Sequence, residues 1–163
     1  MQPFSRILRP MARKRFDDLG CSVACELNEV GDWWSLLVIK QAMLGTRRFV
    51  DFQGELGIAK NILCDRLSRL VDNGVMIRVD VGEHGTRYEY RLTDKGRDLF
   101  PVVVALRQWS ERWNGNRDDM QLVERSSGKP IAPVAVQSVQ GVVLGVRDVL
   151  FVDDEGRPLE KMG

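Results

Sequence analysis

The sequence predicts a mainly α fold carrying one β-hairpin, followed by a small β-rich C-terminal appendage. Three observations predict it. Apolar residues fall at helical spacing in the segments between Ser22 and Asn73, the period drops to two over residues 77–92, and helical spacing returns after Thr93. Beyond Asn114-Gly115-Asn116 the composition shifts to valine punctuated by Pro130, Pro133, Gly141 and Gly145, which reads as two or three short strands. The chain is therefore divided into an N-terminal arm over 1–16, a folded domain over 17–113 and an extension over 114–163.

The first helix is expected from Ser22, read as its N-cap, to Val30, with Gly31 stopping it. The second starts behind Asp32, which can cap it, and covers Trp33 to Leu44. Its buried positions are expected at Trp34, Leu37, Val38 and Gln41, and Gly45 is its left-handed C′ residue. A short third helix covers about Arg48 to Glu55, with Phe49, Phe52 and Leu56 inward. The fourth helix, residues 59–73, is the most regular. Ile62, Leu63, Leu67, Leu70 and Val71 make its apolar stripe, and Lys60, Asn61, Cys64, Asp65 and Ser68 occupy the opposite face. Asn73-Gly74 ends it, because glycine accepts positive φ without a Cβ penalty.

In the hairpin, Ile77, Val79 and Val81 alternate with Arg78 and Asp80, and Tyr88, Tyr90 and Leu92 alternate with Arg87, Glu89 and Arg91. Gly82-Glu83-His84-Gly85 forms the turn. Charge selects a register that pairs Arg78 with Glu89 and Asp80 with Arg87, setting Ile77 against Tyr90 and Val79 against Tyr88. Thr93 then caps a long helix to about Trp113. Its apolar face of Leu99, Val102, Val103, Leu106, Trp109 and Trp113 is too wide for so small a core, and much of it reads as a subunit interface. Part of it is expected to pack on the first helix.

Composition narrows the function. The chain has 163 residues, 44% hydrophobic and 29% charged, the balance of a soluble globular protein. No run of about 18 apolar residues is present, so no transmembrane helix is expected, and the positive N-terminus precedes no apolar secretory segment. Three cysteines make no disulfide framework and suit a reducing cytoplasm. One histidine, His84, leaves little room for metal or triad chemistry. No phosphate loop, nucleophile elbow or metal-ligand cluster is found, so an enzyme is not expected and no cofactor is implied. The net charge of +1 hides a gradient. Residues 1–16 hold Arg6, Arg9, Arg13, Lys14 and Arg15 with no acid, whereas 114–163 hold six basic and eight acidic residues. The arm is either a solvated tail or a segment that touches phosphates beside a DNA-binding core.

Three helices, a recognition-like helix, a hairpin and a final helix give the winged helix-turn-helix order. In that arrangement one helix crosses the DNA backbone, the next enters the major groove, and the hairpin reaches the minor groove or phosphates. Lys60 and Asn61 lie where the fourth helix meets base edges first: asparagine can bond adenine bidentately, and lysine can address guanine or phosphate. Cys64 and Ser68 continue that face, and Arg66 is read as a phosphate or intramolecular contact. Arg47 and Arg48, at the entry to the third helix, suit phosphate. In the wing the candidates are His84, Thr86 and Arg87, with His84 an exposed turn residue and not a ligand.

Cys21-Ser22-Val23 and the run from Val30 to Leu37 resemble the opening motif of HxlR-type transcriptional regulators, relatives of the MarR group. The resemblance continues through Gly45-Thr46-Arg47-Arg48-Phe49, Gly57 to Leu67, Leu70 to Val75 and Tyr88 to Gly96. It implies a dimeric winged-helix DNA binder with its outer helices forming the dimer. Two positions depart from the family pattern: Ser22 replaces a proline after the leading cysteine, and Trp33 replaces a lysine.

Cys21, near a helix N-terminus, is open to two readings. A thiolate there meets the positive end of the helix dipole, which favours reactivity, and the resemblance implies oxidant or electrophile sensing at this position. Alternatively it is a small buried residue. Cys25, one turn on, is the candidate resolving thiol, and Cys64 in the interface would make DNA binding sensitive to modification. Trp33, Trp34 and the tryptophans of the last helix read as core and interface filling, with an effector pocket as the alternative. Some extended members carry a zinc-ribbon pattern where Ser127-Gly128 and residues 137–141 stand here without thiols, so no structural zinc is expected. The expected partners are a double-stranded operator, a second copy of the chain, and a small-molecule or oxidant effector. The competing reading is a winged protein-interaction module without specific DNA binding.

Overall fold

A computed structural model describes residues 21–82, 87–115 and 120–158. The basic arm over 1–16, His84 and Thr86 lie outside the described residues. The chain falls into two compact units, one ending at Phe100 and one beginning at Pro101. This division assigns the final helix to the second unit, whereas the sequence reading kept it with the folded domain to 113.

The first unit runs α1 (Ser22–Val30), α2 (Trp33–Met43), α3 (Phe49–Leu56), α4 (Lys60–Asp72), β1 (Met76–Asp80), β2 (Tyr88–Leu92) and α5 (Asp94–Arg97). α2 is central and packs against α1, α3, α4 and β2. Its buried face is Ser35, Val38, Ile39, Gln41 and Ala42. Leu37, expected inside, is exposed, because the helix turns Ser35, Val38, Ile39 and Ala42, spaced by three and four, toward the core. Phe52, Leu63, Leu67, Leu70, Val75 and Met76 complete a core almost closed to solvent. Cys21, not Ser22, occupies the N-cap of α1 and makes no side-chain cap bond. Gly57, at φ +60°, closes α3 and hands the chain through Ile58 and Ala59 to α4. A helix, a three-residue turn and a second helix result.

The hairpin forms, in a register one residue away from the expected one. Met76 faces Leu92, Arg78 faces Tyr90 and Asp80 faces Tyr88 on one side; Ile77 faces Arg91 and Val79 faces Glu89 on the other. Burial decides it. Met76 and Leu92 are the two strand residues that reach the core, while Ile77 is 48% exposed. The charge pairs that argued for the other register are satisfied differently: Glu89 pairs with Arg91 on its own strand at 2.9 Å, and Arg78 stacks on the Tyr88 ring 4.4 Å from its centroid. The Asp80 carboxylate accepts from the N–H groups of Gly82 and Arg87 at 3.0 and 3.1 Å, closing the base of the turn.

The long last helix is interrupted. Thr93 caps as expected, accepting from Gly96 N–H, but α5 ends at Arg97, and α6 (Phe100–Trp113) starts after a break at Asp98-Leu99. Pro101 explains the break: it has no N–H to give the Arg97 carbonyl, and its ring would collide with that carbonyl in a continuous helix.

In the second unit, α6 continues into a tail of three tight turns. Each is closed by one antiparallel bridge: Val123 with Pro130, Gln137 with Val143, and Val152 with Pro158. The expected strands are not built among the described residues. Pro130 and Pro158 stand in bridge positions without an N–H, so those two ladders end after one pair. Gln108 fastens the tail to α6, donating to Ala132 O at 3.3 Å and accepting from Val134 N at 2.7 Å. Arg107 donates to Met120 O and pairs with Glu111.

Candidate nucleic-acid interface

α4 is held from one side by Leu63, Leu67 and Leu70, which leaves Lys60, Asn61, Cys64, Asp65 and Ser68 exposed along the other. Its N-cap is Ala59, which offers no side-chain acceptor. The N–H groups of the first turn are thus left for water or an incoming acceptor. Lys60 and Asn61 stand at that end. Ser68 donates weakly to Asp72 at 3.5 Å.

Arg66 is engaged within the molecule. Its Nε lies 3.1 Å from Asp32 Oδ1 and its Nη1 3.1 Å from Asp65 Oδ2, with the Arg66 and Asp32 side chains only 18% and 11% exposed. Asp32 also accepts from Ser35 N–H at 2.9 Å as the cap of α2 and from the Ser35 hydroxyl at 2.5 Å. One carboxylate therefore ties the start of α2 to the middle of α4. Sequence reasoning identified the cap but not this ion pair, which joins residues 34 positions apart and has no local signal.

Arg47 and Arg48, adjacent in sequence, are placed differently. Arg47 turns back on α2, its Nη1 donating to Ala42 O at 2.6 Å and Thr46 O at 3.1 Å. Its own carbonyl accepts from Tyr90 N–H at 2.8 Å, so this residue also pins the wing. Arg48 is exposed at the N-cap of α3 and has no side-chain partner among the described residues. Asp51 in the first turn of α3 tempers the attraction of that end for an anion. Arg87 is exposed at the base of the wing.

Cys21, Cys25 and Cys64 are all exposed, so the reading of Cys21 as a buried apolar residue does not hold. Cys25 N–H donates to Cys21 O at 3.0 Å, placing the two one helical turn apart. Trp33 is 80% exposed rather than core-filling. In α6, Val102, Leu106, Trp109 and Trp113 lie along one side, each more than half exposed; Val103 is half-buried on its flank and Leu99 sits half-buried in the break before α6. Among the described residues no three His, Cys, Asp or Glu side chains cluster as metal ligands, and no helix is long and apolar enough to cross a membrane.

A supporting helix, a three-residue turn, a helix with a polar exposed leading edge and a two-stranded wing define a winged helix-turn-helix protein. The chain belongs to the HxlR-like helix-turn-helix family, which matches residues 29–118. It is 43% identical over 94 residues to an HTH-type transcriptional regulator of Mycobacterium tuberculosis, a match covering 58% of this chain and 60% of that protein. It is similar to the crystal structure of PA1607, a candidate transcription factor, with a TM-score of 0.77, 45% identity, and coverage of 84% of this chain and 97% of that one. It also resembles the oxidized form of the redox regulator HypR, with a TM-score of 0.54, 29% identity, and coverage of 60% of this chain and 99% of that one.

Proposed function

We propose that the chain is a cytoplasmic, homodimeric repressor that binds a two-fold symmetric operator. The observation that carries this reading is the exposed leading edge of α4, where Lys60, Asn61, Cys64 and Ser68 form one polar face above the buried Leu63, Leu67 and Leu70. That face enters the major groove, with Asn61 and Lys60 addressing base edges. Arg48 and Arg87 take phosphates on either side. Arg47 and Arg66 serve the interface indirectly, the first by pinning the wing to the α2–α3 loop and the second by anchoring α4 to α2. The apolar side of α6 joins two copies, setting their recognition helices about 34 Å apart, one turn of DNA. Control acts through exposed thiols: Cys21 and Cys25 at the head of α1, and Cys64 within the groove face itself.

The test is fluorescence anisotropy on DNA from the region upstream of its own gene, over a salt series, with unrelated DNA as control. Specific binding is expected to weaken steeply with salt and to drop at least about 30-fold in the Lys60→Ala/Asn61→Ala double variant, two lost base contacts of about 1–3 kcal/mol each. Diamide is expected to weaken binding of the native chain and not of a variant lacking all three cysteines. Weak, sequence-blind binding that the double variant retains overturns the reading and favours a protein-interaction module.

A further inference from the structure

On the first unit, away from the exposed edge of α4, lies a cleft of about 700 Å³ lined by Ala42, Met43, Arg47, Ile77, Arg91, Leu92, Thr93, Asp94, Arg97 and Phe100. Its size is that of a small-molecule site. Its chemistry is two-sided. Ala42, Met43, Leu92, Ile77 and Phe100 supply apolar wall, and the last two are 48% and 46% exposed. Arg47, Arg91 and Arg97 supply three guanidinium groups; Asp94 pairs with Arg97 and Glu89 with Arg91, so Arg47 is the one without a carboxylate partner among the described residues.

These arginines are positioned and still have donors to give. A guanidinium carries five N–H groups. Arg47 uses Nη1 on Ala42 O and Thr46 O, which leaves its Nε and Nη2 without partners among the described residues. Arg97 uses Nη1 on Leu92 O at 2.7 Å and Nη2 on Asp94 at 2.5 Å, leaving Nε. Arg91 uses Nε and Nη2 on Glu89, leaving Nη1. Backbone and carboxylate acceptors thus hold each fork in place while spare N–H groups remain for an anion. A planar guanidinium suits a carboxylate.

We infer that this cleft binds an amphipathic organic carboxylate, an aromatic acid of roughly two rings. The ring system lies against Ile77, Leu92, Met43 and Phe100, and the carboxylate is held by the arginines. Such a ligand touches the end of α2, the Arg47 loop, both wing strands and α5 at once. The site does not depend on DNA binding and stands or falls separately from it.

The experiment is calorimetric titration of the full chain with 4-biphenylcarboxylate and, in parallel, with the neutral isostere 4-biphenylcarboxamide. Methyl chemical shifts of Ile77 and Leu92 are followed by NMR. Saturable binding of one carboxylate per chain is expected, with the amide at least about tenfold weaker and shifts at both residues. Arg91→Gln and Arg97→Gln are each expected to weaken the acid several-fold and leave the amide unchanged. Among the described residues the Arg91 side chain bonds Glu89 alone, so its variant keeps the fold intact even if Arg97→Gln loosens α5. Equal affinity for acid and amide, indifference of the acid to Arg91→Gln, or no saturable binding at millimolar concentration overturns the inference.

Discussion

Asp32 caps α2 and neutralises Arg66 with the same carboxylate, so removing it has two costs. Asp32→Ala loses a helix cap, about 1 kcal/mol, and leaves a guanidinium that is 18% exposed with only Asp65 beside it, about 2 kcal/mol more. A fall of about 3 kcal/mol in urea-unfolding free energy is expected, shrinking clearly when Arg66→Met is already present; equal losses in both backgrounds would dissociate the cap from the ion pair. Asp80 makes a pH prediction. The N–H groups of Gly82, first, and Arg87 hold its carboxyl below the ordinary aspartate value of 3.8. A depressed folded-state value means that the closed turn base is favoured above pH 3.8 and lost as acid is added below it. The Gly82 and Arg87 amide shifts should therefore titrate with a midpoint under 3.8, and stay flat over that range in Asp80→Asn. At this scale the sequence told residue types well and partners poorly. Lys60, Asn61, Cys64 and Ser68 are exposed because a 3.6-residue period places them there, whereas the engagements of Arg47 and Arg66 depend on which carbonyl or carboxylate the fold delivers.

Among the elements, helix positions were legible wherever a cap or glycine punctuated a periodic run, as at Gly31, Asp32 and Gly45. The hairpin was legible as an element but not in register. Both of its strands carry two alternating sets, and the choice between Ile77 and Met76 as the inward residue is made by the core, not by cross-strand charge. The break before α6 did have a signal, Pro101, whose missing N–H outweighs a continuous apolar stripe. α5 shows how closely these pieces approach. A Cβ on Gly96 would stand 2.2 Å from Val75 O and 2.9 Å from Leu92 Cδ2, and that carbonyl also accepts from Thr93 N–H at 3.1 Å. Gly96→Ala is expected to lower stability by about 2 kcal/mol by overpacking, against the gain of roughly 1 kcal/mol that alanine brings inside an open helix. A variant as stable as the native chain in urea would show that α5 is free to shift.

For the whole molecule the decisive surface is α6. At 3.6 residues per turn, Val102, Leu106, Trp109 and Trp113 lie about half a turn around the helix from Arg107, Gln108 and Glu111. The second set carries the tail, through Gln108 to Ala132 and Val134 and Arg107 to Met120, and the first is left apolar and exposed. Leu106→Glu with Trp109→Glu is expected to turn a dimer into a monomer by light scattering, with α-helical circular dichroism retained and operator binding lost; a dimer that survives both charges would place the subunit contact elsewhere. The stripe at 102, 106, 109 and 113 was readable from spacing alone, whereas Leu99 and Val103, read with it, are half-buried and Leu99 precedes the helix. The fate of the tail was not readable, because its turns are set by single bridges and proline positions that no periodicity encodes. The two-sidedness of α6 also bears on cells holding several such regulators. Among the described residues the tail is fastened to the far side of the helix, so if copies pair as proposed, fidelity between sister regulators has to be written in the few side chains at 102, 106, 109 and 113.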